Sequence, residues 1–387
     1  MASIQHRPDR PKPWRVAWRD DEGQQRSQSF ARKAEATRFR SKVEHELHTG
    51  RYVDPHAGRV TVSELADEWL DRQTFDAPTR IAVESRLRVH VQSHLGRLEL
   101  RAVKPSTVQQ WVRTLSRDLA PSYVALLLGH LKSILAAAVD DGMIASNPAA
   151  SRSVKPPKAE RRRVVPWTVE QVRAIADAHP ERYRALPVLA AGTGMRQGEC
   201  FGLALEDVDF LRRVVHVRQQ VRLLNGHPVY APPKSGRERE VPLPETVAVV
   251  LSEHLRVHPA GEVTLPWGDR DGPATTRALV FTGPKGASLN KNPHTQRVWI
   301  PALAGAGVEY VPRETGMHQL RHHYASVLLD AGVSIAALAA YLGHADPSVT
   351  LRVYSHLMPD TEGRARQAVD AAYGVAQTLP KVARIGD

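Results

Sequence analysis

The stretch His318-Gln319-Leu320-Arg321-His322-His323-Tyr324-Ala325-Ser326 decides how the chain is read. On a helix, His318 and Arg321 stand three residues apart and so on one face, where an imidazole and a guanidinium can reach a single anionic group. Three further segments carry polar side chains of the same kind. Thr193-Gly194-Met195-Arg196-Gln197-Gly198-Glu199, followed by Leu203 and Asp207-Val208-Asp209, offers a second arginine, and Glu199 falls one helical turn after it, placed to orient it by pairing. Pro233-Lys234-Ser235-Gly236, leading to Val241-Pro242-Leu243, puts a lysine in a turn predicted between two strands. Leu342-Gly343-His344 runs on to Tyr354-Ser355-His356, with an interval of ten residues from His344 to Tyr354.

Composition narrows the class of protein. A chain of 387 residues exceeds what one hydrophobic core usually serves, so two or three domains are expected. The formal charge of +12 suits a protein that lies along a polyanion, with nucleic acid the leading partner, although a GC-rich genome would enrich arginine as well. Cys200 is the only cysteine, which excludes an intrachain disulfide and a thiolate metal cluster and fits a reducing cytosol. No apolar run is expected to reach membrane-spanning length, and Met1-Ala2-Ser3-Ile4-Gln5-His6 lacks the apolar core of a signal peptide, so a soluble, intracellular protein is the expectation.

Alternation around Trp14, Val16 and Trp18, a turn at Asp21-Glu22-Gly23 and a second run from Gln28 to Phe30 predict a short antiparallel sheet, with a helix from Lys33 to His48 stopping at Gly50. Thr61 with Glu64 and Ser106 with Gln109 read as capping boxes, opening helices at Val62 to Leu70 and Thr107 to Leu115. Thr79 to Leu95 and Ser122 to Asp140 complete a helical group that closes at Gly142 and Asn147-Pro148. From Ser151 to Val165 a Lys-, Arg- and Pro-rich stretch without apolar periodicity reads as a basic linker. Beyond it, Thr168 and Gln171 form another capping box, Val214 to Leu224 alternates like one strand, Asn225-Gly226 marks a hairpin, and Pro228 to Ala231 and Glu238 to Leu243 supply its partners. Thr361 to Tyr373 reads as a helix in a tail. The expected fold is multidomain and mainly α: a β-sheet-plus-helix module (1–58), an all-helical domain (59–150), the linker (151–165), an α+β domain with a small antiparallel sheet (166–375) and a tail (376–387).

In order and rough spacing, the four polar segments resemble the whole catalytic domain of the tyrosine recombinases, the family of the phage integrases. Over the earlier part of the chain the resemblance is architectural: the first module is similar to those that bind outlying arm sites, and the helical domain to core-binding, SAM-like domains. It implies an enzyme that breaks and rejoins DNA through a 3′-phosphotyrosine bond to Tyr354, without metal, ATP or other cofactor. Arg196 and Arg321 would hold the scissile phosphate, His344 would hydrogen-bond it, His318 would support proton removal from the nucleophile, and Lys234 would protonate the departing 5′-oxygen. Attack on a phosphodiester builds charge on the non-bridging oxygens, and arginine's fork meets them bidentately while staying charged. Among nine tyrosines, Tyr324 and Tyr341 are the nearest decoys, and the remaining histidines, His322 and His323 included, are expected to be structural. The partners implied are double-stranded DNA at paired attachment sites, a homotetramer exchanging strands through a Holliday junction, and an accessory DNA-bending or directionality factor. No membrane partner is expected, and the place of action is the bacterial cytosol or nucleoid.

Two other classes share part of the pattern. A type IB topoisomerase would use the same chemistry as a monomer, but the arm-like module argues against it, and a non-catalytic DNA-binding regulator would dispense with the polar constellation. Gly192-Thr193-Gly194 misses the dinucleotide fingerprint because the third glycine comes one place late at Gly198. His318 with His322 has zinc-ligand spacing, yet Gln319 stands where a metalloprotease needs glutamate.

Overall fold

The computed structural model describes residues 2–19, 23, 25–48, 57–158, 163–234, 236–357 and 361–373, which fall into two compact units, Met1–Arg161 and Arg162–Asp387. In the first unit, β1 (Ser3–His6), β2 (Trp14–Arg19) and β3 (Gln25–Phe30) pair antiparallel in that order. Period-two alternation sends Val16 and Trp18 inward, where α1 (Lys33–His48) covers them with Ala36 and Val43. The sequence shows no alternating apolar run at β1, whose Ile4 is its one partly buried residue. The expected turn residues Asp21 and Glu22 and the helix stop at Gly50 lie outside the described residues.

A separate core belongs to the helices that follow. At the start of α2 (Val62–Asp71) the Thr61 hydroxyl accepts from the Glu64 amide at 3.2 Å, and the Glu64 carboxylate accepts from the Thr61 amide at 2.8 Å, the reciprocal cap read from the sequence. The run expected as one helix from Thr79 is α3 (Ala77–Arg86), then a π-helical stretch Leu87–Gln92, then the short α4 (Ser93–Leu95). The capping box expected at Ser106 is not formed. Pro105, with its φ fixed and no N–H to satisfy, takes the first position of α5 (Pro105–Leu115) and draws Ser106 inside the helix. With 20 residues, α6 (Pro121–Asp140) is long and apolar enough to cross a membrane, contrary to the expectation that no run was, but it buries Val124, Leu127, Leu128, Leu131, Ile134, Leu135 and Ala138 in this core.

The second unit is mixed. Its helices are α7 (Val169–Ala178), α8 (Ala185–Thr193), α9 (Gln197–Phe201), α10 (Glu245–Val257), α11 (Lys291–His294), α12 (Ile300–Gly305), α13 (His318–Asp330), α14 (Ile335–Leu342), α15 (Pro347–Tyr354) and α16 (Thr361–Tyr373). The strands β4 (Val208–Asp209), β5 (Val214–Val217), β6 (Gln220–Leu224), β7 (His227–Ala231), β8 (Arg239–Pro242), β9 (Gly261–Pro266) and β10 (Ala274–Leu279) make three small sheets, ordered β4-β5-β8, β6-β7 and β9-β10. One sheet was expected here. The run from Val214 breaks because Arg218 turns to the Asp207 carboxylate at 2.8 Å and the Gln219 amide donates to the Gly202 carbonyl at 2.8 Å, so β8 pairs with β5 alone. The β9-β10 hairpin has no counterpart in the sequence reading. Apolar α8 is packed by α7, α10 and α13, which sets its C-terminal Thr193-Gly194 beside the start of α13.

Buried histidines tie this core to pH. His294 is 4 % exposed between the rings of Tyr183 and Phe201, and burial pushes its pKa down to about 4 from an ordinary 6.5. The unfolded chain therefore binds a proton that the folded chain refuses between those values, so stability falls as pH drops through that window and is insensitive to this group above it. The melting temperature is expected to be lower at pH 5 than at pH 7.5, and His294→Phe should weaken that dependence. A variant with the parent's full acid sensitivity would refute this assignment.

Candidate active site

Helix α13 opens with His318 and, within its first turn and a half, presents Arg321 and His322. The Arg321 guanidinium, 1 % exposed, joins two helix ends: Nη1 donates to the Gly194 carbonyl at 2.8 Å after α8, and Nη2 donates to the Leu342 carbonyl at 2.6 Å at the end of α14. Both helices stop in left-handed glycines, Gly194 at φ 64° and Gly343 at φ 66°. Nη2 also lies 3.0 Å from His344 Nε2. Arginine has no acceptor, so Nε2 must offer its lone pair, and Nδ1–H then donates to the Thr350 hydroxyl at 2.7 Å. Burial, then Arg321, Arg196 and Arg239, hold the His344 pKa down at about 4, in keeping with this neutral ring. Burial and Arg196 lower that of Arg321 to about 9, which leaves it cationic at neutral pH.

Arg196 stands just before α9. Its backbone N–H donates to Glu199 Oε2 at 2.8 Å and its Nη1 to Oε1 at 2.9 Å, so the pairing expected from the spacing is present. Nη2 reaches toward the Gly343 carbonyl at 3.5 Å. Together with Lys234 and His318, Arg196 lines a cavity of about 570 Å³, which also takes in Gln220 and Lys291. Lys234 lies exposed in the turn between β7 and β8, as the sequence placed it. An adjoining cavity of about 640 Å³ shares His318 and Lys291 with the first and adds His322.

Tyr354 ends α15 and is 1 % exposed. Its hydroxyl is 2.8 Å from His322 Nδ1, and the His322 ring meets that of His318 edge to face at 4.7 Å between centroids. His322 was expected to be structural, but it is the imidazole on the phenol. The signal was visible, since His322 follows His318 by four residues and shares its helical face. His323 does match the structural expectation, its Nδ1 lying 2.8 Å from the Trp167 carbonyl. Burial raises the Tyr354 pKa to about 12 against the opposing pull of Arg321 and Arg196, and burial with Arg321 lowers that of His322 to about 4. The pair is neutral at pH 7. His318 is open to solvent, and the protein atoms around its ring, with His322 and the arginines, shift its pKa downward. All the side chains picked from the sequence thus gather in the second unit: Arg196, Lys234 and His318 line one cavity, Arg321 and His344 bond each other, and Tyr354 is reached through His322.

Sequence reasoning missed Thr350, Lys291 and Arg239. Thr350 and Lys291 carry no spacing signal. Arg239 does, because it shares the inward face of β8 with buried Val241, an unusual place for a cation. Gly194 offers a direct test of the scaffold. A Cβ there would lie 2.4 Å from the Tyr324 ring, on a backbone that L-residues avoid. Gly194→Ala is expected to destabilise the chain by roughly 2 to 3 kcal/mol in denaturant melts; a change within error would show that Tyr324 yields freely.

Residues 166–360 match the family model described as the phage integrase family, just over half of the chain. A tyrosine recombinase XerC-like protein of Caldanaerobacter subterraneus subsp. tengcongensis is 26% identical over 331 residues, covering 80% of this chain and 83% of its own. A putative prophage phiRv2 integrase of Mycobacterium tuberculosis is 26% identical over 308 residues, covering 79% of this chain and 76% of its own. Among solved structures, the Tn1549 transposon integrase in complex with transposon right end DNA is similar in fold, with a TM-score of 0.67 at 23% identity over 80% of this chain and 99% of that one. A lambda integrase tetramer bound to a Holliday junction has a TM-score of 0.57 at 17% identity, covering 90% of this chain and 93% of that one. The match over residues 166–360, laid on a site of two arginines, a lysine, histidines and a tyrosine at the end of α15, places the chain in the phage integrase family of tyrosine recombinases.

Proposed function

We propose that the chain is a site-specific DNA recombinase that integrates a phage or other mobile element, with Tyr354 as nucleophile. The observation that carries this reading is the convergence of Arg196, Lys234 and His318 on one cavity, with His318 also lining the adjoining cavity beside His322, whose Nδ1 lies 2.8 Å from the Tyr354 hydroxyl. The phenolic oxygen attacks phosphorus, its proton passing to the His318 and His322 pair, and the bond to the 5′-oxygen breaks as Lys234 supplies that oxygen with a proton. Arg196 and Arg321 neutralise the non-bridging oxygens, with the phosphate taking the place of His344 as acceptor for Arg321 Nη2. The reverse steps rejoin the strand, because the phosphotyrosine bond keeps the energy of the phosphodiester. Neither ATP nor a metal is needed on this route.

The helical domain (59–150) and the catalytic domain (166–375) would hold the core site, joined by the basic linker (151–165), of which 159–162 lie outside the described residues. The module at 1–58 would take arm sites. Work as a homotetramer on paired attachment sites, steered by an accessory factor in the bacterial cytosol or nucleoid, completes the proposal. The transposon right end DNA bound by the Tn1549 integrase and the lambda integrase tetramer on a Holliday junction support it.

The test is incubation of the full chain with nicked duplexes carrying candidate attachment sites from the genomic flanks of the gene. A protein-linked DNA band and strand exchange between paired sites are expected. Relaxation of supercoiled plasmid with no exchange between any paired sites would favour a topoisomerase instead, and binding with no covalent band a regulator.

A further inference from the structure

One buried cation outside the proposed set lies in the segment of the Lys234 turn and meets two of the other polar segments at once, at Glu199 and beside Gly343. Arg239, its side chain 6 % exposed, lies on β8 just beyond the Lys234 turn. Its Nη1 and Nη2 donate to Oε1 and Oε2 of Glu199 at 3.0 and 2.6 Å, and its Nε donates to the Tyr341 carbonyl at 2.7 Å near the end of α14. The Glu199 side chain, 0 % exposed, spends the same two oxygens on the Arg196 backbone and Nη1. Gly343, immediately before His344, leaves just enough room for this: a Cβ there would come within 3.0 Å of the Arg239 guanidinium.

Paired with Arg196 alone, Glu199 would cancel the cation that a phosphate needs to meet. Burial disfavours the carboxylate's charge, but Arg239 and Arg196 outweigh it and keep the group ionised, its pKa below the ordinary value. Two guanidiniums on one carboxylate leave a surplus positive charge, and the member facing the cavity is Arg196, 20 % exposed against 6 % for Arg239. We propose that Arg239 is a positioning residue for strand cleavage: its fork takes up the Glu199 charge so that Arg196 is oriented without being neutralised, and its Nε ties that clamp to the helix end that delivers His344. The proposal rests on the reading that Arg196 meets the scissile phosphate.

Three full-length variants test it on a nicked duplex carrying the attachment core, with single-turnover cleavage, DNA binding and thermal melting all measured. Arg239→Met should cleave roughly 100-fold more slowly than the parent, the scale of removing one partner from a buried charge cluster, with DNA binding within about threefold. Adding Glu199→Gln to Arg239→Met should recover about tenfold of that rate, because the uncompensated carboxylate is gone. An Arg239 that only held the fold would make the double variant as slow as the single or slower, and that result overturns the proposal, as does Arg239→Met at the parent's rate. If Arg239→Met gives no cooperative melt, Arg239→Gln takes its place under the same criteria. Arg196→Gln separates the two levels: full cleavage by it sinks the site reading, whereas a dead Arg196→Gln beside an unimpaired Arg239→Met sinks the present proposal alone.

Discussion

Tyr354→Phe is expected to abolish the covalent DNA band on a nicked duplex, a loss on the order of 10⁴-fold or more in cleavage rate, with DNA binding at the parent's level. The substitution removes one oxygen from a side chain that is 1 % exposed, so the ring still fills its place in the core. What disappears is the bond to His322 Nδ1 at 2.8 Å, which contributes about 1 kcal/mol. The melt should therefore move by only a few degrees. Tyr324→Phe and Tyr341→Phe serve as controls and should keep the band. A band that survives Tyr354→Phe and vanishes with either control would move the nucleophile elsewhere.

The second large effect is expected at Arg321, where chemistry and fold coincide. Arg321→Ala strands the Gly194 and Leu342 carbonyls and His344 Nε2 in a buried space. At about 1 to 3 kcal/mol for each unsatisfied group, several kcal/mol of stability should go, along with at least about 10³-fold in cleavage. Arg321→Lys distinguishes the two losses. An ammonium has donors enough for part of that set, so the fold should largely return, but it lacks the planar fork, and cleavage should stay about 100-fold down. Arg321→Lys cleaving like the parent would show that charge alone suffices there.

How far the sequence could carry the reading differs by element. The capping pairs Thr61 with Glu64 and Thr168 with Gln171 depend on residues three apart, and both formed as read. The candidate site residues could be picked out for a similar reason: His318 to Arg321 and Arg196 to Glu199 are single-turn relationships, and their segments follow one another in a recognisable order. Long-range partners left weaker traces. Arg321 meets Gly194 across 127 residues and Arg239 meets Tyr341 across 102, and neither distance has a period. The sheet reading failed where side chains overrode alternation, since Arg218 and Gln219 each found a partner outside the strand they interrupt. His322 failed differently: its spacing from His318 was noticed, but as a zinc pattern, while its partner at Tyr354 lies 32 positions downstream.

The burial of Tyr354 carries a consequence for a cell that holds idle copies of such an enzyme. Bringing a phenol out of an apolar seat and breaking its bond to an imidazole costs roughly 3 kcal/mol, so at tenfold per 1.4 kcal/mol about one unengaged molecule in a hundred has its nucleophile in the open. On the proposed reading, contact energy from a bound duplex makes up that difference. A duplex held too weakly to supply it would leave the phenol in its seat.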